Sequence, residues 1–312
     1  MSTVYLDRKH LEIDVTGGCL TVSPAPRGRG SIPLNLITRL VLCGRVRLNS
    51  AALAGLSDRG IAVICLAGRN HRRVAQLGGV TGNDARRRID QFKVGVNPAL
   101  RLLLARQVVA AKIRAALREI ELLLDRRPAL RRHLVKARRT LIRITAQIDQ
   151  AELDSLLGLE GAAAAAWFRA LSAVFPESLG FKGRNRRPPR DPVNAVLSLA
   201  YTLLHAEAVA ACYGHGLDPM LGFLHEPAPG RESLACDLIE PLRPRVDGRV
   251  VELFASQGLE ETHLTHSDAG CRLDKTGRRH FYQWWETIAP SYRRYLRTGG
   301  HQLIHRLSEL VQ

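Results

Sequence analysis

The sequence predicts an α+β fold in two domains: a small β-rich N-terminal domain over residues 1–82 and a larger all-α C-terminal domain over residues 83–312. Three observations carry this. Up to about residue 80 the chain breaks into short β-branched runs separated by glycine-rich turns. The character changes after GGVTGNDARRR at 78–88. From Pro98 onward apolar residues recur three and four apart with arginines between them, as in RLLLARQVVAAKIRAALREIELLL, which is the spacing of amphipathic helices.

In order, VYLDR, HLEIDVTGGCLTV, LITRLVLCGRVRL, IAVICLAG and RRVAQLG read as strands. Thr16-Gly17-Gly18 suits a hairpin turn. SAALAGLSDRG, residues 50–60, is the one helix expected there, and the buried strand after it suggests a βαβ crossover. No GxGxxG accompanies it, which argues against a dinucleotide site. Beyond residue 100, helices are expected over 150–158, 160–175, 191–213, 234–243, 248–257 and 278–312. FKGRNRRPPRDP, residues 181–192, interrupts them as a basic loop. Asp191 would cap the helix that follows and Pro192 would be its first residue. No sequence repeat is evident.

The chain has 312 residues, of which 46% are hydrophobic, enough for a substantial core. Lys and Arg number 46 against 29 Asp and Glu, a formal net charge of +17. That excess makes a polyanion the default partner, nucleic acid before membrane. An arginine-preferring, high-GC genome is the plainer explanation. Between residues 101 and 150 stand 13 Lys or Arg against 4 Asp or Glu, which fits either a solvated face or a phosphate-facing one. The cysteines at 19, 43, 65, 212, 236 and 271 include no CxxC pair, so zinc is not expected. They suit a reducing cytoplasm. The N-terminus MSTVYLDRKHLEID has no apolar signal core, and no run reads as transmembrane length. The expectation is a cytoplasmic protein with no membrane partner.

Four polar residues interrupt apolar or small surroundings. Glu160 stands in LLGLEGAAAAAWF, either as an exposed acid at a helix start or with room beside it for a ligand. His225 closes GLDPMLGFLHEP, as a structural histidine or a ligand held by its neighbours. Asp237 and Glu240 in SLACDLIEPLRP are three apart, so one helix would put them on one face, and no cation stands at i+4 to pair either. Like charges this close repel unless a cation bridges them. Solvated acids or a metal site both remain open. Carboxylates with an imidazole suit Mg²⁺ or Mn²⁺ better than zinc.

Taken together, LLGLEGAAAAAWFRAL, GRNRRPPRDPVNAVLSLAYTLL, GLDPMLGFLHE, RESLACDLIEPLRP and ARQVVAAKI, in that arrangement, resemble the CRISPR-associated integrase-endonuclease family, the catalytic subunit of the spacer-acquisition complex. LDKTGRRHFYQWWE adds a less specific C-terminal segment. The resemblance covers most of residues 100–290, whereas the β domain matches in character only. It implies that Glu160, His225 and Glu240 bind a divalent metal, Mg²⁺ or Mn²⁺, with Asp237 as the adjacent supporting acid. It also implies a homodimer through the β-rich domains and a small second CRISPR-associated adaptation protein that bridges two dimers. The implied chemistry is phosphodiester transesterification on DNA: a 3′-hydroxyl of captured DNA attacks the boundary of the CRISPR array. Cleavage of double-stranded or branched DNA would be the same chemistry with water. Arg184, Arg186, Arg187 and Arg190 are the candidates for phosphate contact. Tyr201 is expected to pack or to hydrogen-bond near the site, with packing favoured.

This chain has alanines and Trp167 where relatives often carry an arginine and a tyrosine or phenylalanine, and Glu240 where some have aspartate. Two other readings use the same residues: a structure-selective repair nuclease, and a non-catalytic nucleic-acid-binding scaffold in which the acids are dispensable.

Overall fold

The structure is a computed structural model that describes residues 2–8, 10–24, 30–67, 72–79, 81–185, 188–268 and 270–312. The N-terminal strands are β1 (Ser2–Leu6), β2 (Leu11–Thr16), β3 (Cys19–Pro24), β4 (Gly30–Pro33), β5 (Ile37–Leu42) and β6 (Val46–Leu48). Helix α1 (Ser50–Ser57) follows, then β7 (Ala62–Ala67) and β8 (Arg72–Leu77). They form two four-stranded sheets, ordered β1-β5-β7-β8 and β4-β3-β2-β6. β2 and β3 are joined by Gly17 and Gly18, both at positive φ, the backbone a two-residue hairpin turn requires. β5 and β7 run parallel with α1 between them in sequence, so the crossover is present.

Side-chain alternation explains why the second half of β5, Leu40–Leu42, and all of β7 read as continuous apolar runs. Leu40, Leu42 and Val63 point to a core shared with Ile13 and Leu20 of the second sheet. Val41 and Ile64 point the other way, into the helical core. A sheet covered on both faces needs apolar residues at every position.

The helical part comprises α2 (Ala85–Val96), α3 (Pro98–Arg126), α4 (Arg131–Thr145), α5 (Leu153–Val174), α6 (Pro192–Gly214), α7 (Ser233–Ile239), α8 (Arg243–Ala255) and α9 (Lys275–Val311). It is not wholly helical: β9 (Leu264–Ser267) and β10 (Gly270–Leu273) form an antiparallel hairpin before α9. The expected helices over 150–158 and 160–175 are one helix, α5. The expected helix over 234–243 ends at Ile239, and a 3-10 turn over Glu240–Leu242 takes over with Pro241 in its first turn. Proline has no N–H to continue the α-helical ladder, which accounts for the change.

The Asp191 side chain accepts from Asn194 N–H at the start of α6, with Pro192 in the first turn, as read from the sequence. The expectation that no run approaches transmembrane length needs correcting. α6 is long and apolar enough by composition, with a mean hydropathy of 1.5, but about two-thirds of that window is buried inside the protein. It is the central core helix, packed on α7, α8 and α9.

Polar contacts tie the sheets to the helices. Arg39 of β5 and Arg293 of α9 both pair with the buried Glu207 of α6. Arg293 also pairs with Glu286, which accepts from the Tyr5 hydroxyl at 2.6 Å. Tyr5 stacks on Tyr282 of α9 with ring centroids 4.3 Å apart.

Candidate active site

Glu160 lies in the middle of α5, not at a helix start, and its side chain reaches Lys112 of α3. Glu240 reaches the same ammonium from the 3-10 turn after α7. Two carboxylates from separate elements thus converge on one cation. Glu240 is also held by Arg243, whose Nε donates to Oε1 at 2.7 Å. Burial raises the pKa of the Glu240 carboxyl, but Arg243 and Lys112 outweigh burial and hold it at about 2. Burial likewise works against the Lys112 ammonium, and Glu240 and Glu160 overcome it, leaving its pKa raised.

Asp237 does not share the environment of Glu240, although three residues separate them. Its carboxylate turns to the loop that carries His225. Oδ2 accepts from Phe223 N–H at 2.6 Å and Leu224 N–H at 3.0 Å, and Oδ1 accepts from His225 N–H at 3.1 Å. The His225 ring meets Oδ1 through Nδ1 at 2.7 Å. An ionised carboxylate only accepts, so Nδ1 carries the hydrogen, and in the neutral ring Nε2 keeps its lone pair. Asp237 therefore fixes both the loop and the tautomer of His225.

The loop is pinned on several sides. Gln91 of α2 donates to Asp218 O and Leu221 O, and Arg101 of α3 donates to Phe223 O at 2.9 Å. Gly222 packs so tightly that a Cβ there would lie 2.7 Å from the Ser233 carbonyl carbon and 2.8 Å from His225 O. No larger residue fits without displacing backbone.

Glu160, His225, Glu240, Lys112, Arg184 and Arg243 line one cavity of about 340 Å³. Tyr201, Trp167 and Asp247 line the same cavity, where Tyr201 and Trp167 both donate to the buried Asp247, Trp167 through Nε1 at 2.7 Å. Burial raises the Asp247 carboxyl to a pKa of about 6, against the opposing pull of those two hydrogen bonds. Arg243 and Arg184 lie over the Tyr201 ring, 4.6 and 5.5 Å from its centroid. Tyr201 thus does both things that the sequence leaves open: it packs beneath the two guanidinium groups and donates a hydrogen bond to a carboxylate.

Of the loop arginines, Arg184 reaches the cavity, with its guanidinium donating to Asn194 Oδ1 at 2.7 Å and Ser198 Oγ at 3.1 Å. Arg190 is exposed at the loop's end. Arg186 and Arg187 lie outside the described residues. Three site residues escaped sequence reading: Lys112, Arg243 and Asp247. Lys112 did have a signal. It is one of only 6 lysines against 40 arginines, and it falls inside ARQVVAAKI. Arg243 sits at i+3 from Glu240, one residue short of the position considered.

A β-rich unit of two small sheets is set on a helical bundle, and carboxylates, an imidazole and cations surround one cavity. The family described as CRISPR associated protein Cas1 matches residues 4–287, and the chain belongs to that family. It is 37% identical over 290 residues to the CRISPR-associated endonuclease Cas1 1 of Thermodesulfovibrio yellowstonii, covering 92% of this chain and 91% of the relative. It is 34% identical over 291 residues to the CRISPR-associated endonuclease Cas1 3 of Thermus thermophilus, covering 92% and 84%. Two solved structures share the fold. A CAS1 protein from Thermotoga maritima aligns with a TM-score of 0.86 and 23% identity over 98% of this chain and 97% of its own. A casposase bound to integration product aligns with a TM-score of 0.86 and 22% identity over 99% and 91%.

Proposed function

We propose that the protein is a metal-dependent DNA endonuclease and integrase of CRISPR adaptation, with Glu160, His225 and Glu240 as the ligands of one divalent ion, Mg²⁺ or Mn²⁺. The observation that carries this is the convergence of Glu160 and Glu240 on one cation beside an imidazole whose tautomer Asp237 holds. Among the described residues no three His, Cys, Asp or Glu side chains are close enough to close on one ion. The donor set fits all the same. It offers two carboxylates gathered by a positive charge and an imidazole whose Nε2 lone pair is kept for a ligand. A divalent ion there would polarise a phosphate oxygen and stabilise charge developing on it.

The protein's own groups supply the rest. Asp237 orients His225. Arg243 and Lys112 keep Glu240 ionised, so it remains a donor across the working pH range. Arg184 and Arg243, set around Tyr201 at the cavity wall, supply positive charge for a bound phosphodiester. In strand transfer the 3′-hydroxyl oxygen forms a new bond to phosphorus while the ester bond to the departing 3′-oxygen breaks, and the proton lost by the attacking hydroxyl is balanced by the one the departing oxygen gains. No net bond energy is needed, so positioning is the main task.

The wider reading rests on kinship. One aligned structure is titled a Cas6-RT-Cas1–Cas2 complex, with a TM-score of 0.84, which supports a small second adaptation protein as partner here. We place dimerisation in residues 1–82 and catalysis in residues 83–312, supported by the change from strands to helices between Leu77 and Ala85. Six free thiols support a cytoplasmic setting. The test is strand transfer into a supercoiled plasmid bearing a CRISPR array, with Mg²⁺ or Mn²⁺ and the small partner. His225→Ala and Glu240→Ala should each abolish it; retention of wild-type transfer by either variant would remove the metal-site assignment.

A further inference from the structure

Eight cations and no acid stand between Asp125 and Asp149. The structure gives part of that bias a shape. On α4, Arg132, Lys136, Arg139 and Arg143 follow at i, i+4, i+7 and i+11, which aligns them in one stripe of about 17 Å along the helix. All four are exposed, and none forms an ion pair with a described residue. Leu134, Ala137, Leu141 and Ile144 fill the opposite face and are buried, several of them against α5, the helix that carries Glu160. The neighbouring Arg138 is different, since Glu121 neutralises it at 2.6 Å. A helix face kept for solubility alone mixes both signs. Leaving four unpaired like charges in a line costs mutual repulsion, which a line of phosphates would relieve.

We propose that the α4 stripe is a second DNA-contact surface, which holds the phosphate backbone of one duplex arm on the outer side of the helix whose inner side closes the active-site cavity. This rests on the DNA reading above. At 3.4 Å of axis per phosphate on one strand, a 17 Å stripe spans about five phosphates. Leu141, opposite the stripe, lines the cavity beside residues of α3 and α5, so α4 forms part of the wall between the two surfaces. A duplex arm held outside would brace a branched substrate while its junction lies within.

The experiment compares three full-length proteins: wild type, R132Q/K136Q/R139Q/R143Q, and R86Q/R88Q/K93Q/R294Q, which removes the same charge from exposed positions on α2 and α9. Binding of a DNA duplex is measured from low to moderate salt. Circular dichroism and thermal melting check that each is folded. Four phosphate contacts contribute about 3.6 to the slope of log affinity against log salt. The stripe variant is expected to lose at least about two units of slope and the control less than one. Equal losses would mean that net charge alone is at work and would overturn the stripe. So would an unchanged slope in the stripe variant, or tighter binding of wild type to phosphatidylglycerol vesicles than to duplex. Metal-dependent strand transfer by wild type is scored separately. A wild type that transfers strands but shows equal slopes loses the stripe and keeps the function. A wild type that neither binds duplex nor transfers strands loses both.

Discussion

Asp237→Asn tests how the site is held together. The substitution keeps shape and removes one acceptor. Four donors face the carboxylate: the N–H groups of Phe223 and Leu224 at Oδ2, and the N–H and Nδ1 of His225 at Oδ1. An amide can present oxygen to only one pair. If its NH₂ faces Phe223 and Leu224, two buried N–H groups lose their acceptor, at about 1–3 kcal/mol each. If it faces His225, one N–H is orphaned, and the ring adapts by moving its hydrogen from Nδ1 to Nε2. The second arrangement leaves one fewer orphan, so it should be favoured by about 1–3 kcal/mol. It also removes the lone pair that Nε2 offers the cavity. The expected outcome is a folded protein, destabilised by about 2 kcal/mol, that binds Mn²⁺ about 10–100-fold more weakly. Denaturant unfolding measures the first, calorimetric Mn²⁺ titration the second, and nitrogen chemical shifts of His225 report the tautomer. Wild-type Mn²⁺ affinity with an Nδ1–H ring would refute the reasoning.

Two further predictions follow from charge. Lys112→Met leaves Glu160 and Glu240 facing each other without their shared cation, so stability without metal should fall by about 3–5 kcal/mol. Mn²⁺ should then raise the melting temperature of this variant more than that of wild type, and an equal rise in both would count against the arrangement. Glu119 is raised to a pKa of about 7 by burial, with Glu252 adding to it against Arg249. A carboxyl raised in the folded state binds its proton more tightly there than when unfolded, so its contribution falls as pH climbs from about 4.5 to 7. Glu119→Gln should flatten the stability profile in that window by about 1–2 kcal/mol after allowance for solvent screening, and a denaturation series that keeps its slope would contradict this.

Much of the fold could be read from local pattern. The switch from strand to helix near residue 80 shows as a change of hydrophobic period, and the Gly17-Gly18 turn and the Asp191 cap are chemistry confined to a few neighbours. Where pattern failed, tertiary contact decided. β4 has only four residues and no alternation of its own; it exists because β3 offers an edge to pair with. β9 and β10 are similarly short, and β9 is largely polar. The break expected between helices 150–158 and 160–175 would start a helix at Glu160, yet packing against α3 and α4 carries α5 straight through it. The candidate acids stood out because each interrupted an apolar run. Their partners did not, because Lys112 is 48 residues from Glu160 and 128 from Glu240. Spacing along a chain cannot report such a pairing. For the same reason Asp237 and Glu240, expected to share one helical face, serve different neighbours.

The Glu207 network bears on how this molecule could be taken apart. Glu207 belongs to the central helix, yet one of its two arginine partners, Arg39, comes from the first sheet. Cutting the chain between Leu77 and Ala85 would strip that partner away and expose the side of the sheet that Val41 and Ile64 press onto the helices. Neither fragment would inherit a finished surface. The two parts should therefore melt in one calorimetric transition, and either fragment expressed alone should be aggregation-prone.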